Sequence, residues 1–219
     1  MTSRAALSRT QSAADPLAAL DLGTKQYIDA RINAAVIASS PITPSDQGRW
    51  GDLFASVGRP VATSQDTLST GFHSFTGGPA PQAGVATKLR WHCRAVAPAG
   101  AIITFALHKG ASTTVLPKQG ADIVVTGSFN TVAYKQITIP SLSWNAGDFL
   151  YLSMLRTGTG TPDPAMATTG GPASPDLYNP DSTHFVAGFK SGQSVIPATL
   201  DTSAAFTGSG RMFWWSLAA

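Results

Sequence analysis

Cysteine is almost missing from this chain: Cys93 is the single one in 219 residues. No intrachain disulfide can form, which excludes a small secreted scaffold stapled by bridges. Within Leu89-Arg90-Trp91-His92-Cys93-Arg94, Cys93 is expected to be a buried structural thiol. Charge is scarce as well, with only 12% Asp, Glu, Lys and Arg, about half the usual share. Much of the surface must therefore be Ser, Thr, Gly and Ala, or be covered by neighbouring subunits. The formal net charge of +3 is scattered rather than gathered into basic runs, so no nucleic-acid partner is expected. No apolar run reaches the ~20 residues a membrane-spanning helix needs, and no membrane insertion is expected. The basic residues Arg4 and Arg9 are not followed by an apolar stretch, so residues 1–20 do not read as a signal peptide. Folding in a reducing cytoplasm is the expectation.

Signatures of chemistry are equally sparse. His73, His92, His108 and His184 are isolated in sequence and form none of the short spacings that hold a metal. No G-x-S-x-G element, P-loop or dinucleotide fingerprint is present, and Gly158-Thr159-Gly160 lacks the strand-to-helix context such motifs need. The 12 acidic residues lie mostly in turn or cap contexts, as at Asp21, Asp46, Asp148, Asp163, Asp176 and Asp181. No catalytic residue, no cofactor and no metal is therefore assigned, and the chain is read as a non-enzyme.

What is present falls into three parts. Residues 1–20 are rich in Ala, Ser, Thr and Arg without periodicity, the composition of an arm that orders only against a partner. Residues 21–38 carry the one helical pattern. Asp21 is placed to cap it, Ile28, Ile32 and Ala35 recur at spacings of four and three, and Pro41 stops it. A helix this short with one narrow apolar stripe is marginal alone in water. Tyr27, Ile28, Ile32, Ala35 and Val36 form a seam suited to self-association, read as a trimeric bundle, the alternative being that the stripe docks on the chain's own β domain. Residues 21–40 thus comprise the oligomerising helix and the start of a Pro-containing linker.

From 46 to 219 the pattern changes to short apolar segments punctuated by Gly, Pro, Asn and Ser, the signature of an antiparallel β-sandwich of jelly-roll type. Strands are expected at 50–57, 59–63, 68–75, 85–97, 101–108, 121–126, 131–139, 148–155, 184–189, 195–200 and 211–217. That number calls for two packed sheets. Pro140 is expected to close the strand before it, and Asn145-Ala146-Gly147-Asp148 to turn the chain into the next strand as a hairpin-like unit. Trp214 and Trp215 point to a final strand covered on both faces.

The stretch 157–183 is rich in Gly, Thr and Pro, long enough that a functional role is expected of it, and Met166, Leu177 and Tyr178 could anchor it. Sugar sites on sandwiches combine an aromatic platform with a few polar groups. Among the rings of Trp50, Trp91, Trp144, Trp214, Trp215, Tyr151 and Tyr178, Tyr178 is the one expected to be exposed. With Asp176, Asn179 and Asp181 it forms the candidate ligand site.

Thr24-Lys25-Gln26-Tyr27-Ile28-Asp29 resembles the T-K-x-Y-V-D element that recurs in bacteriophage tail fibres and related virion appendage proteins, where it opens a helix in a trimeric stalk. Ile28 stands where valine is usual, and Asp21-Leu22-Gly23 precedes the threonine where Asp-Ala-Ala is common. The resemblance covers about ten residues. It implies a virion structural protein, a tail fibre, minor tail protein or head appendage, assembled in the host cytoplasm. Residues 1–20 would attach it to other virion proteins, it would be a homotrimer, and its β domain would face a host cell-surface polysaccharide. Two further readings stand beside it: a capsid decoration or tail architectural protein without a ligand, which the composition suits equally, and an enzyme acting on polysaccharide, kept because sandwich folds can carry scattered acids.

Overall fold

A computed structural model describes residues 51–57, 62, 64–169, 187–202, 207–208 and 212–219. The expected arm at 1–20, the helix with its seam Tyr27, Ile28, Ile32, Ala35 and Val36, most of the expected strand 59–63, and the loop residues Asp176, Tyr178, Asn179 and Asp181 all lie outside the described residues. The described chain is mainly β and antiparallel. Its strands are Asp52–Ala55 (β1), Ser64–Thr67 (β2), His73–Pro79 (β3), Gly84–Ala95 (β4), Ala101–Gly110 (β5), Leu116–Pro117 (β6), Ile123–Val124 (β7), Ala133–Trp144 (β8), Phe149–Gly158 (β9), Ala165–Thr168 (β10), Ala187–Lys190 (β11), Thr199–Leu200 (β12), Thr207–Gly208 (β13) and Trp215–Ala218 (β14).

Two six-stranded sheets result. In the first, β4 carries β8 along one edge and β14 and β10 in succession along the other, with β1 beyond β14 and β2 beyond β10. In the second the order is β13-β11-β3-β9-β5-β7. The chain passes from one sheet to the other at nearly every step: β3 to β4, β4 to β5, β8 to β9, β9 to β10, β10 to β11. The quartets β1-β14-β4-β8 and β3-β9-β5-β7 are thus interleaved in sequence, the connectivity of a jelly roll.

Alternation explains which faces meet. On β4, Leu89, Trp91 and Cys93 are buried while Lys88, Arg90, His92 and Arg94 face outward. On β5 and β9, Ile103, Phe105, Leu150, Leu152 and Met154 join the same core cluster. Trp91 meets Phe105 across the gap at 5.2 Å between ring centroids, and the Trp215 indole N–H donates to the Thr76 carbonyl oxygen of the other sheet at 3.0 Å. The Cys93 thiol sits in this core, as expected, and donates to the Ala95 carbonyl oxygen at 3.3 Å. Burial pushes its pKa up, so it is a poor nucleophile.

The expected strands need several corrections. Of the strand expected at 68–75, only residues 73–75 are strand, the start of β3; residues 68–72 connect it to β2, which lies just before the expected segment. β8 does not stop at Pro140 but runs on to Trp144. Its far edge is unpaired among the described residues, and the β4 register opposite Pro140 slips between Ala86 and Lys88, so the missing N–H interrupts no regular ladder. The Asn145–Asp148 turn forms, with Gly147 at φ +87° and the Asp148 N–H donating to the Asn145 carbonyl oxygen at 3.2 Å. It carries the chain between sheets rather than closing a hairpin. β10 lies inside the stretch expected to be loop, and Met166 anchors it by full burial in the core. The last strand is covered on both faces, as expected: Trp214 and Trp215 are both buried.

One close backbone approach depends on glycine. A Cβ on Gly77 would sit within 2.7 Å of Tyr151 Cα and Cγ and closer still to the Leu150 carbonyl oxygen. Gly77→Ala is expected to push β3 away from β9 and cost about 1–3 kcal/mol, read as a lower urea midpoint at unchanged m-value.

Candidate functional site

The β2 sequence Ser64-Gln65-Asp66-Thr67 has no apolar residue, yet it is built onto the core sheet. Its register sets Asp66 opposite Met166, a core residue with no exposure, so Asp66 shares the face that looks into the gap between the sheets. On the other sheet Ser74 pairs with both Met154 and Phe189, which puts Ser74 and Phe189 on the inner face too. Between these edges lies a cleft of about 140 Å³. Asp66, Ser69 and Ser74, the backbone of Thr67, and Phe72, Phe189 and Phe213 line it. Phe72 and Phe189 stand 5.6 Å apart at 43° to one another, a tilted pair.

The rim is fixed from below. Asp66 Oδ1 accepts from the Thr67 N–H at 2.9 Å, and no cation pairs with this carboxylate among the described residues. Ser69 Oγ donates to Asp163 Oδ2 at 3.0 Å, and Asp163 pairs in turn with the fully buried Arg156 guanidinium, which also reaches the Gly160 carbonyl oxygen. Backbone bonds from Leu68 to Pro164 and from Gly71 to Arg156, both 2.8 Å, tie the β2–β3 connection to the β9–β10 loop.

A second buried polar group lies on the outer face of the second sheet. There Tyr151, Ser153 and Leu155 of β9 are as buried as the inner residues, because β6, β12 and their flanking segments cover them with Leu116, Ile196 and Leu200. His73 and His108, far apart in sequence, flank β9 on this face. His73 Nε2 meets Ser153 Oγ at 2.8 Å, and His108 Nδ1 meets the Leu116 carbonyl oxygen at 3.0 Å. His108 Nε2 has no hydrogen-bond partner among the described residues. Burial is the main cause that lowers each pKa to about 4, and each imidazole lies near Lys118. His73, His108 and Ser153 are all buried, and the Ser153–His73 hydrogen bond lies under the β6–β12 cover.

Asp176, Tyr178, Asn179 and Asp181, singled out in the 157–183 stretch, lie outside the described residues. Trp91, Trp144, Trp214, Trp215 and Tyr151 are all buried, as expected, and Trp50 lies outside the described residues. Sequence reading missed Asp66 and Phe189 as cleft residues. A polar tetrapeptide carries no strand signal, though the phenylalanines at 72 and 189 beside Ser and Gly were the one available hint.

The class that fold and cleft define is an antiparallel two-sheet jelly-roll protein with a small mixed aromatic and carboxylate cleft at the mouth of the sandwich. No protein-family model and no curated protein sequence matches the chain.

Proposed function

We propose that this chain is a structural protein of a bacteriophage virion, a tail fibre, minor tail protein or head appendage, that displays its jelly-roll domain for adhesion to a host-surface polysaccharide. The observation that carries this reading is an order of parts. The Thr24–Asp29 stalk-like element precedes, in one chain, a self-contained β domain whose described residues present a cleft rather than a catalytic array. In this reading residues 1–20 bind other virion proteins, residues 21–40 associate three copies, and the β domain is held outward. The charge-poor, Ser/Thr/Gly-rich composition suits a surface that is partly buried in an assembly.

The association step is tested by light scattering on the full-length chain. A trimer mass is expected for the native sequence, and a monomer mass for the double substitution Ile28→Asp, Ile32→Asp, with the β-sheet circular dichroism unchanged. Monomers of the native chain at every concentration would remove the stalk from the reading.

A further inference from the structure

We propose that the cleft between β2 and β11 is a subsite for one sugar ring, taking a neutral or N-acetylated pyranose rather than an anionic one. The inference deepens the adhesion reading and rests on it for the source of the sugar.

Three features define the ligand. The first is size. About 140 Å³ is well below the roughly 300–1,000 Å³ of sites that enclose drug-sized molecules, so the cleft holds a single ring of a longer polymer and leaves the rest outside.

The second is the pairing of surfaces. Phe72 and Phe189 offer apolar faces for the C–H side of a pyranose, while Asp66, Ser69 and Ser74 offer oxygens for its hydroxyl edge. Amphipathic ligands of this kind are held by a few placed polar groups on an aromatic wall. The carboxylate is the strongest acceptor there. With Oδ1 oriented by the Thr67 N–H, Oδ2 is left to accept from ring hydroxyls, and a charged acceptor makes bonds about twice as strong as a neutral one.

The third is sign. Asp66 has no cationic partner among the described residues, and the Asp163 carboxylate under Ser69 is already neutralised by Arg156. Asp66 is the one charged residue among the described lining, so a uronate, sialate or phosphate would have to meet its carboxylate at close range in a partly desolvated site. Because Ser69 is held by Asp163 and Asp66 by the Thr67 amide, little side-chain ordering remains to be done on binding. An inward-facing charge on an edge strand also guards against strand pairing. That role predicts association of the protein when Asp66 is neutralised, and no dependence of sugar binding on Asp66.

The test is saturation-transfer NMR on the full-length protein with three probes: methyl β-glucopyranoside, N-acetylglucosamine and methyl glucuronide. Transfer to the first two is expected, with the glucuronide at least about tenfold weaker. Asp66→Asn and Phe189→Ala should each weaken binding by about tenfold, or about 1.4 kcal/mol, while the remote substitution Tyr134→Ala leaves it unchanged. Melting curves identify any variant that fails to fold, and the other then decides. Sugar binding that survives both substitutions, or that favours the glucuronide, overturns the subsite. Absence of transfer from all three probes overturns it too. A glycan array probed with the same protein separates the two readings: capture of a polysaccharide there, with an unresponsive cleft, leaves adhesion standing at another site, and no capture removes both.

Discussion

Trp215→Ala is expected to lower stability by about 4 kcal/mol and to leave much of the protein unfolded or insoluble at 37 °C. The side chain is fully buried on β14, which is inserted between β1 and β4. It packs on Phe54 with 5.0 Å between ring centroids, and its N–H spans the sandwich to the Thr76 carbonyl oxygen at 3.0 Å. Truncating a buried Trp to Ala typically costs about 3–5 kcal/mol in lost transfer energy and cavity, and the abandoned Thr76 carbonyl adds to it. Against a total stability of about 5–15 kcal/mol, that is a large fraction. Trp215→Phe keeps most of the apolar area and loses the N–H, so it should cost about 1–3 kcal/mol. Urea denaturation of both variants gives the comparison. A Trp215→Ala midpoint within a few tenths molar of the native one would mean that the sheets are not locked together here.

Stability should also fall as the solution is acidified from about pH 6.5 to about pH 4, and His73 and His108 should carry most of that fall. Burial lowers both pKa values from 6.5 to about 4; for His73 the positive charges of His108, Lys190 and Lys118 add to it. For His108 the hydrogen bond to Leu116 and the charge of Asp122 oppose it, and Lys118 adds to it. Between these limits the unfolded chain binds protons that the folded chain refuses, so unfolding gains free energy as pH drops. The stabilising contribution is complete above pH 6.5 and is lost as pH falls toward 4. Each histidine can contribute up to about 3 kcal/mol over that interval. The pair shares one environment, so the effects will not simply add. Urea midpoints at pH 7, 5.5 and 4.5 should decline steeply for the native protein and much less for the double variant His73→Gln, His108→Gln. An equal decline in both would assign the acid sensitivity to other groups.

How much of this could be read from the sequence depends on how each signal is encoded. Strands such as β4, β5 and β9 announce themselves through alternation and bulk, and their expected bounds differ from the structure by only a few residues. Their assignment to alternate sheets is not encoded locally, which is why Asn145–Asp148 reads as a hairpin turn when it crosses the sandwich. β10 was hidden because Ala165-Met166-Ala167-Thr168 has a single large apolar residue and lies inside a Pro- and Gly-rich stretch, and its place follows from pairing with β2 and β4 rather than from propensity. Asp66 was hidden for the same reason: a carboxylate in a polar tetrapeptide reads as a turn until the register sets it beside Met166. The histidine pair is a product of strand order alone, since β9 must come between β3 and β5 before residues 73 and 108 share a face. The seam at Tyr27 to Val36 and the Tyr178 group lie outside the described residues, and the experiments on Ile28 and Ile32 address the seam directly.

The placement of β14 has a consequence for how the molecule comes into being. Ser216 donates to the buried Asp52 carboxylate across 164 residues of intervening chain, and β1 touches the rest of its sheet chiefly through β14. While the polypeptide is still emerging from the ribosome, β1 has no neighbour to zip onto and β4 keeps a bare flank beside Leu89 and Trp91. The first sheet therefore cannot close until the last described strand has been made, and the loop closure that joins the two is among the longest the chain can form. Folding governed by such distant pairings is slow, on the order of milliseconds to seconds for domains of this kind. Until it finishes, the newborn chain leaves Leu89, Trp91 and Trp215 without their partners in the first sheet, surface open to wrong contacts.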